Sequence, residues 1–172
     1  NVIEDWEQKV ELIADETIPQ DMRLIGGIPP WVLMYYERLM AKTGKSSIME
    51  IFPNLSMFVY GGVNFEPYRK KLEELVGESI PSLETYPASE GFLAFQDRPG
   101  SDELLLNIDS GIFFEFIPAD KIFEENPPRY QLEDVEVDIN YAIIINSNAG
   151  LWGYNIGDTV MFTSTHPYRL KV

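Results

Sequence analysis

The 172-residue chain contains no cysteine and a single histidine, His166. The first absence removes disulfides, thiolate zinc sites and thiol nucleophiles, and the second removes any multi-histidine metal centre. Basic residues are scarce: 13 Lys and Arg stand against 28 Asp and Glu, a formal charge of −15. Such a chain would repel a nucleic-acid backbone or an anionic membrane surface. It would not exclude a nucleotide, which needs only a local set of backbone donors and a metal. No apolar run approaches the roughly 18 residues of a membrane span. The N-terminus has neither a basic flank nor an apolar signal core, and no Walker-type phosphate loop is present. What is present is a 45% apolar composition over a length suited to one domain or two very small ones. That is enough for a real core and too apolar for intrinsic disorder.

Spacing predicts a helix over about residues 3–16, from Ile3, Trp6, Val10 and Ile13, with Glu4 and Asp5 in its first turn. A short strand over 23–25 ends at Gly26-Gly27. Pro29-Pro30 open a second helix, and Gly44 is its left-handed cap. Ser47 and Glu50 fit a capping box, a match that chance explains nearly as well. A strand over 56–60 runs into Gly61-Gly62, and a third helix starts at Pro67 with Tyr68, Leu72 and Leu75 on one face and Gly77 after it. This strand–helix alternation favours a mainly parallel sheet.

After Ser82 the pattern changes. Strands are predicted at 83–86, 92–96, 104–108, 112–117, 141–146 and 159–163, joined by turn-rich links and arranged as antiparallel hairpins. The expected fold class is α/β: strand–helix units on a mixed sheet over residues 1–82, then an antiparallel β-rich part over 83–172. Asn126-Pro127-Pro128 is the best candidate for a boundary or an exposed loop. Phe113, Phe114 and Phe116 read as core on both faces of a strand.

Three glycine-marked junctions carry the candidate chemistry. At Tyr60-Gly61-Gly62-Val63-Asn64 a strand passes into a helix, the place where open α/β sheets put ligands; a plain tight turn fits the same residues. Tyr86-Pro87-Ala88-Ser89-Glu90-Gly91 places an aromatic ring, a hydroxyl and a carboxylate together. The ring can face a purine, and Ser89 and Glu90 can hold a phosphate-bound Mg²⁺; a polar surface loop is the even alternative. In Tyr154-Asn155-Ile156-Gly157-Asp158, the carboxylate can accept from two vicinal ribose hydroxyls, where an ordinary Gly-Asp turn is the competing reading. Ser89 has no base beside it in sequence, so a hydrolase triad is not indicated. The acidic pairs Glu73-Glu74 and Glu124-Glu125 and the run from Glu133 to Asp138 read as solvated faces, because neighbouring carboxylates point apart.

Taken in order, these stretches resemble the adenylate-forming superfamily. More closely, they resemble the auxin-responsive (Gretchen Hagen) acyl-acid amido synthetases and their bacterial-type members. The most specific matches are Asn54-Leu55 through Tyr68, Leu83 through Gly91, Gly111 through Pro118, and Gly150-Leu151-Trp152 through Val160. The resemblance implies ATP-dependent adenylation of a carboxylic acid, then amide formation with an amino acid, in a cytoplasmic enzyme using ATP and Mg²⁺. It implies that Tyr86 stacks on adenine, Ser89 contacts the α-phosphate, Glu90 ligates Mg²⁺ and Asp158 holds the ribose. It also implies that Gly61-Gly62 borders adenine and the acyl pocket. Partners would be the small-molecule acid and amino acid, with neither nucleic acid nor membrane. Pro87 and Gly153 depart from the family pattern; relatives often carry Arg at the second. The family's upstream phosphate loop and downstream C-terminal domain do not appear in the sequence. The chain is therefore read as an internal fragment of the large N-terminal domain. Two other readings stay open: a thioester-forming acyl-CoA ligase, and a non-catalytic nucleotide-binding module.

Overall fold

A computed structural model describes residues 4–172 and divides into two compact units, Asn1–Glu84 and Thr85–Val172. In the first unit, α1 (Trp6–Thr17) begins at Asp5, whose carboxylate accepts from the Gln8 N–H at 2.9 Å and so satisfies one of the free donors of the first turn. Ile3, placed in this helix by its spacing, lies outside the described residues. The buried stripe is Val10 and Ala14, while Trp6 and Ile13 are exposed. The apolar spacing therefore marked the helix, but of the described residues in that spacing only Val10 is buried.

Strand β1 (Leu24–Gly26) runs parallel to β2 (Met57–Gly61), with Ile25 opposite Phe58. Between them lies α2 (Pro29–Thr43), with prolines in its first turn and Gly44 as its left-handed cap. Ion pairs from Lys42 to Glu11 (2.9 Å) and Asp15 (2.5 Å), and from Arg38 to Glu11, tie α2 to α1. The expected capping box at Ser47 does not form. Ser47 makes no side-chain cap, and the Glu50 carboxylate is taken by the Ser46 hydroxyl in a short 3-10 turn. Helix α3 (Glu66–Val76) buries Leu72, Leu75 and Val76 and ends at Gly77. Tyr36, Leu39, Ile48, Phe52, Phe58 and Phe65 complete this unit's core.

Strand β3 (Ser82–Ala88) leads into the second unit. Its strands are β4 (Gly91–Phe95), β5 (Leu104–Leu106), β6 (Ile112–Pro118), β7 (Asn140–Ser147), β8 (Tyr154–Thr165) and β9 (Tyr168–Lys171). All pair antiparallel, in the order β3-β4-β5-β9-β8-β7-β6. The fold is the mixed α/β arrangement expected from the sequence, with three differences of detail. Strand β8 starts five residues earlier than its apolar stretch. Strand β9 was not expected; it is recruited by pairing with both β5 and β8. Phe113 is 54% exposed, while Phe114 and Phe116 are buried, so the aromatic run supplies core on one face only. Residues 126–128 form a loop inside the second unit.

Candidate functional site

The second unit brings two of the three junctions together. Tyr86 pairs with Ala94 and Pro87 with Phe92, so the β3–β4 register slips between Tyr86 and Pro87. Pro87 has no N–H to give the ladder, and the irregularity falls at that residue. Ser89 and Glu90 form the turn into β4, with Ser89 exposed. In β8, pairing jumps from Asn155–Ile144 to Thr159–Ala142, so residues 156–158 bulge from the ladder. Bulges re-aim side chains and recur beside active sites. This one is built locally: the Asn155 side chain accepts from the Gly157 N–H at 2.9 Å, and Gly157 adopts φ +90°.

The outcome is a crossed pair of contacts. The Tyr86 hydroxyl donates to Asp158 Oδ2 at 2.7 Å, and the Tyr154 hydroxyl donates to Glu90 Oε1 at 3.3 Å. Tyr86 is only 8% exposed. Burial, then donation to the Asp158 carboxylate and its charge, push the phenol far above its usual range. It therefore stays protonated and a donor at any pH near neutral. Tyr154 was part of the third junction, but nothing in its spacing pointed at Glu90.

A second network holds the chain just before β8. The Gly153 N–H donates to Asn146 Oδ1 (2.7 Å), and the Asn146 amide donates to Glu115 Oε2 (2.9 Å), which also accepts from Arg129 (3.1 Å). Arg129 Nη1 lies 3.2 Å from where a Cβ on Gly153 would stand. The space where a side chain at position 153 would stand thus holds a guanidinium from position 129.

Gly61 and Gly62 lie in the first unit, at the carboxyl end of β2. A Cβ on Gly62 would meet Ile28 at 3.9 Å, so the turn abuts the start of α2. Among the described residues, no group of three or more His, Cys, Asp or Glu could hold a metal ion. A Mg²⁺ bound with a nucleotide needs only one or two carboxylates, the rest being phosphate oxygens and water. Glu90, with Oε1 held by Tyr154 and Oε2 remaining, fits that demand.

Residues 1–81 match the GH3 family N-terminal domain, and residues 105–171 match the GH3 family central domain. The chain belongs to the GH3 family. Gly61 and Gly62 fall in the first matched span and Asp158 in the second, while Tyr86, Ser89 and Glu90 fall between them. Among curated GH3 relatives, jasmonoyl–L-amino acid synthetase JAR4 of Nicotiana attenuata is 32% identical over 126 residues, covering 69% of this chain and 22% of that protein. The chain spans about a fifth of the length of such relatives. Among solved structures, an acyl acid amido synthetase in complex with 2,4-DB aligns with a TM-score of 0.60 at 17% identity, over 77% of this chain and 24% of that one. An open conformation of a 2-hydroxyisobutyryl-CoA ligase, in complex with 2-HIB-AMP and CoA, aligns with a TM-score of 0.62 at 12% identity, over 94% and 34%. These two likenesses are of fold. Among the described residues, no helix is long and apolar enough to cross a membrane.

Proposed function

We propose that the protein is an acyl-acid amido synthetase that adenylates a carboxylic acid with ATP and passes the acyl group to an amino acid. In this reading adenine rests against the surface that Tyr86 leaves open, and Asp158 accepts from the ribose hydroxyls. Ser89, exposed on its turn, contacts the α-phosphate, and Glu90 holds Mg²⁺. The observation that carries the reading is the 2.7 Å bond from Tyr86 to Asp158. Base and ribose are covalent neighbours in a nucleoside, and the residues assigned to them are hydrogen-bonded neighbours here although 72 positions apart in sequence.

The acid's carboxylate oxygen attacks the α-phosphorus, and the bond to pyrophosphate breaks. The amine nitrogen then attacks the acyl carbon, AMP leaves, and the nitrogen loses its proton. When bound, Mg²⁺ supplies positive charge against the anionic phosphates, in a chain whose own charge is −15. Ser89 donates to the α-phosphate oxygen as charge gathers there, and Asp158 fixes the nucleoside so that the α-phosphorus faces the acid. The substrates are small molecules, and ATP dependence fits a cytoplasmic setting.

The test is acid-dependent ATP–pyrophosphate exchange by the whole protein, screened over carboxylic acids, with amino acids and CoA then compared as acceptors. Exchange followed by amide formation is expected, and Asp158→Ala should raise the KM for ATP by about tenfold or more, the weight of one hydrogen bond to a charged group. Product formation with CoA alone would turn the reading to a thioester-forming ligase. Absence of exchange with every acid would end it.

A further inference from the structure

The two glycine-bounded motifs exchange tyrosines. Tyr86, from the first, donates to Asp158 of the second; Tyr154, from the second, donates to Glu90 of the first. Each contact spans more than 60 positions, and each leaves its carboxylate one oxygen for a ligand. Each carboxylate also sits on backbone that would not hold it alone. Asp158 follows the left-handed Gly157 within the β8 bulge, and Glu90 belongs to the two-residue turn between β3 and β4. A carboxylate on a bulge or a turn keeps several rotamers open. A phenol donating to one of its oxygens removes that freedom before any ligand arrives.

We propose that Tyr86 and Tyr154 are positioning residues. Tyr86 sets Asp158 for the nucleoside sugar, and Tyr154 sets Glu90 for the divalent cation. The proposal rests on the adenylating reading for what the carboxylates bind, but the latch itself is a property of this chain. The two bonds differ in length and setting. The Tyr86 bond is short and its ring is buried, so it should carry more of the effect. The Tyr154 bond is longer, and its ring is 41% exposed, so water competes with it.

The experiment uses the whole protein with Tyr86→Phe and Tyr154→Phe, which keep both rings. In pyrophosphate exchange, Tyr86→Phe is expected to raise the KM for ATP about tenfold at saturating Mg²⁺, leaving the Mg²⁺ half-saturation unchanged. Tyr154→Phe is expected to raise the Mg²⁺ half-saturation about threefold, leaving the KM for ATP at saturating Mg²⁺ unchanged. In both, kcat should stay within about twofold, since neither ring touches a reacting atom. Loss of kcat alone, equal shifts of both constants by either variant, or no shift from Tyr86→Phe would overturn the latch. If the wild type catalyses no exchange, the ligase reading falls and the latch is judged by unfolding. Combining Tyr86→Phe with Asp158→Asn should then cost clearly less than the two single changes added together. Simple additivity would show that the two groups do not act as a pair.

Discussion

Residue 157 sets the direction of the Asp158 carboxylate. Its φ of +90° is a conformation that an L side chain adopts only under strain, yet nothing lies within 4 Å of where a Cβ would stand. The cost of a side chain there is conformational rather than steric. Gly157→Ala should therefore lose about 1–2 kcal/mol in denaturant unfolding and also raise the KM for ATP, because the next residue carries the proposed ribose contact. An alanine variant as stable as the wild type would mean that the bulge tolerates another backbone shape. Position 153 shows the opposite logic. There the neighbouring space is taken by Arg129, so a side chain at that position would meet a steric cost as well as a conformational one.

Among the elements, the helix ends were legible because glycine and proline act through backbone geometry that needs no tertiary partner. Gly44 and Gly77 both follow helices and both adopt left-handed conformations, φ +67° and +91°. Their surroundings differ. Gly44 faces open space, whereas a Cβ on Gly77 would come within 2.8 Å of Ser47 Cβ. Gly44→Ala should cost about 1 kcal/mol, and Gly77→Ala clearly more, since the 3-10 turn below it must move as well. Urea unfolding of the two variants side by side reads the difference. Equal losses would mean that the contact at Ser47 relaxes freely. Strand β7 was legible for a different reason: Tyr141 to Ile145 are all buried, so its continuous apolar run reflects cover on both faces. Neighbouring β6 alternates over residues 113–116, and position 113 is exposed while 114 is not. The residue types at those two positions are the same, so only the packing could tell them apart.

For the whole molecule, charge is the distinctive property, and seven of its 13 Lys and Arg side chains pair with carboxylates of the same chain. Arg169 in β9 is 4% exposed and grips Asp97, just beyond β4, through two bonds of 2.6 and 2.8 Å. The guanidinium's hydrogen bonds hold the Asp97 carboxyl below its usual range. A depressed carboxylate adds stability that is present above the unfolded value, about 3.9, and is lost as pH falls through the lower folded one. Asp97→Asn should therefore melt below the wild type at pH 7, with the gap closing as pH drops below about 3.9. A gap that stays constant from pH 7 to strongly acid conditions would assign the loss to packing instead. Lys171 of the same strand pairs with Asp102 at 2.5 Å. The strand that apolar patterning missed is thus also held by ion pairs.

The sequence by itself determined the α/β class, the change from helix to strand period near Ser82, the helix limits and the two motifs that hold Tyr86, Ser89, Glu90 and Asp158. These follow from local rules: a period of 3.6 or 2, the fixed φ of proline, the freedom of glycine, and residue types whose chemistry suits a nucleotide. The tertiary structure alone decided that β9 inserts between β5 and β8, that Phe113 faces out, and that Arg129 fills the space beside Gly153. It alone paired each motif's tyrosine with the other's carboxylate. Such pairings join residues 64 to 72 positions apart, and they depend on sheet register and on bulges that shift it. Register is fixed by how strands bury one another, and no spacing within either strand encodes it.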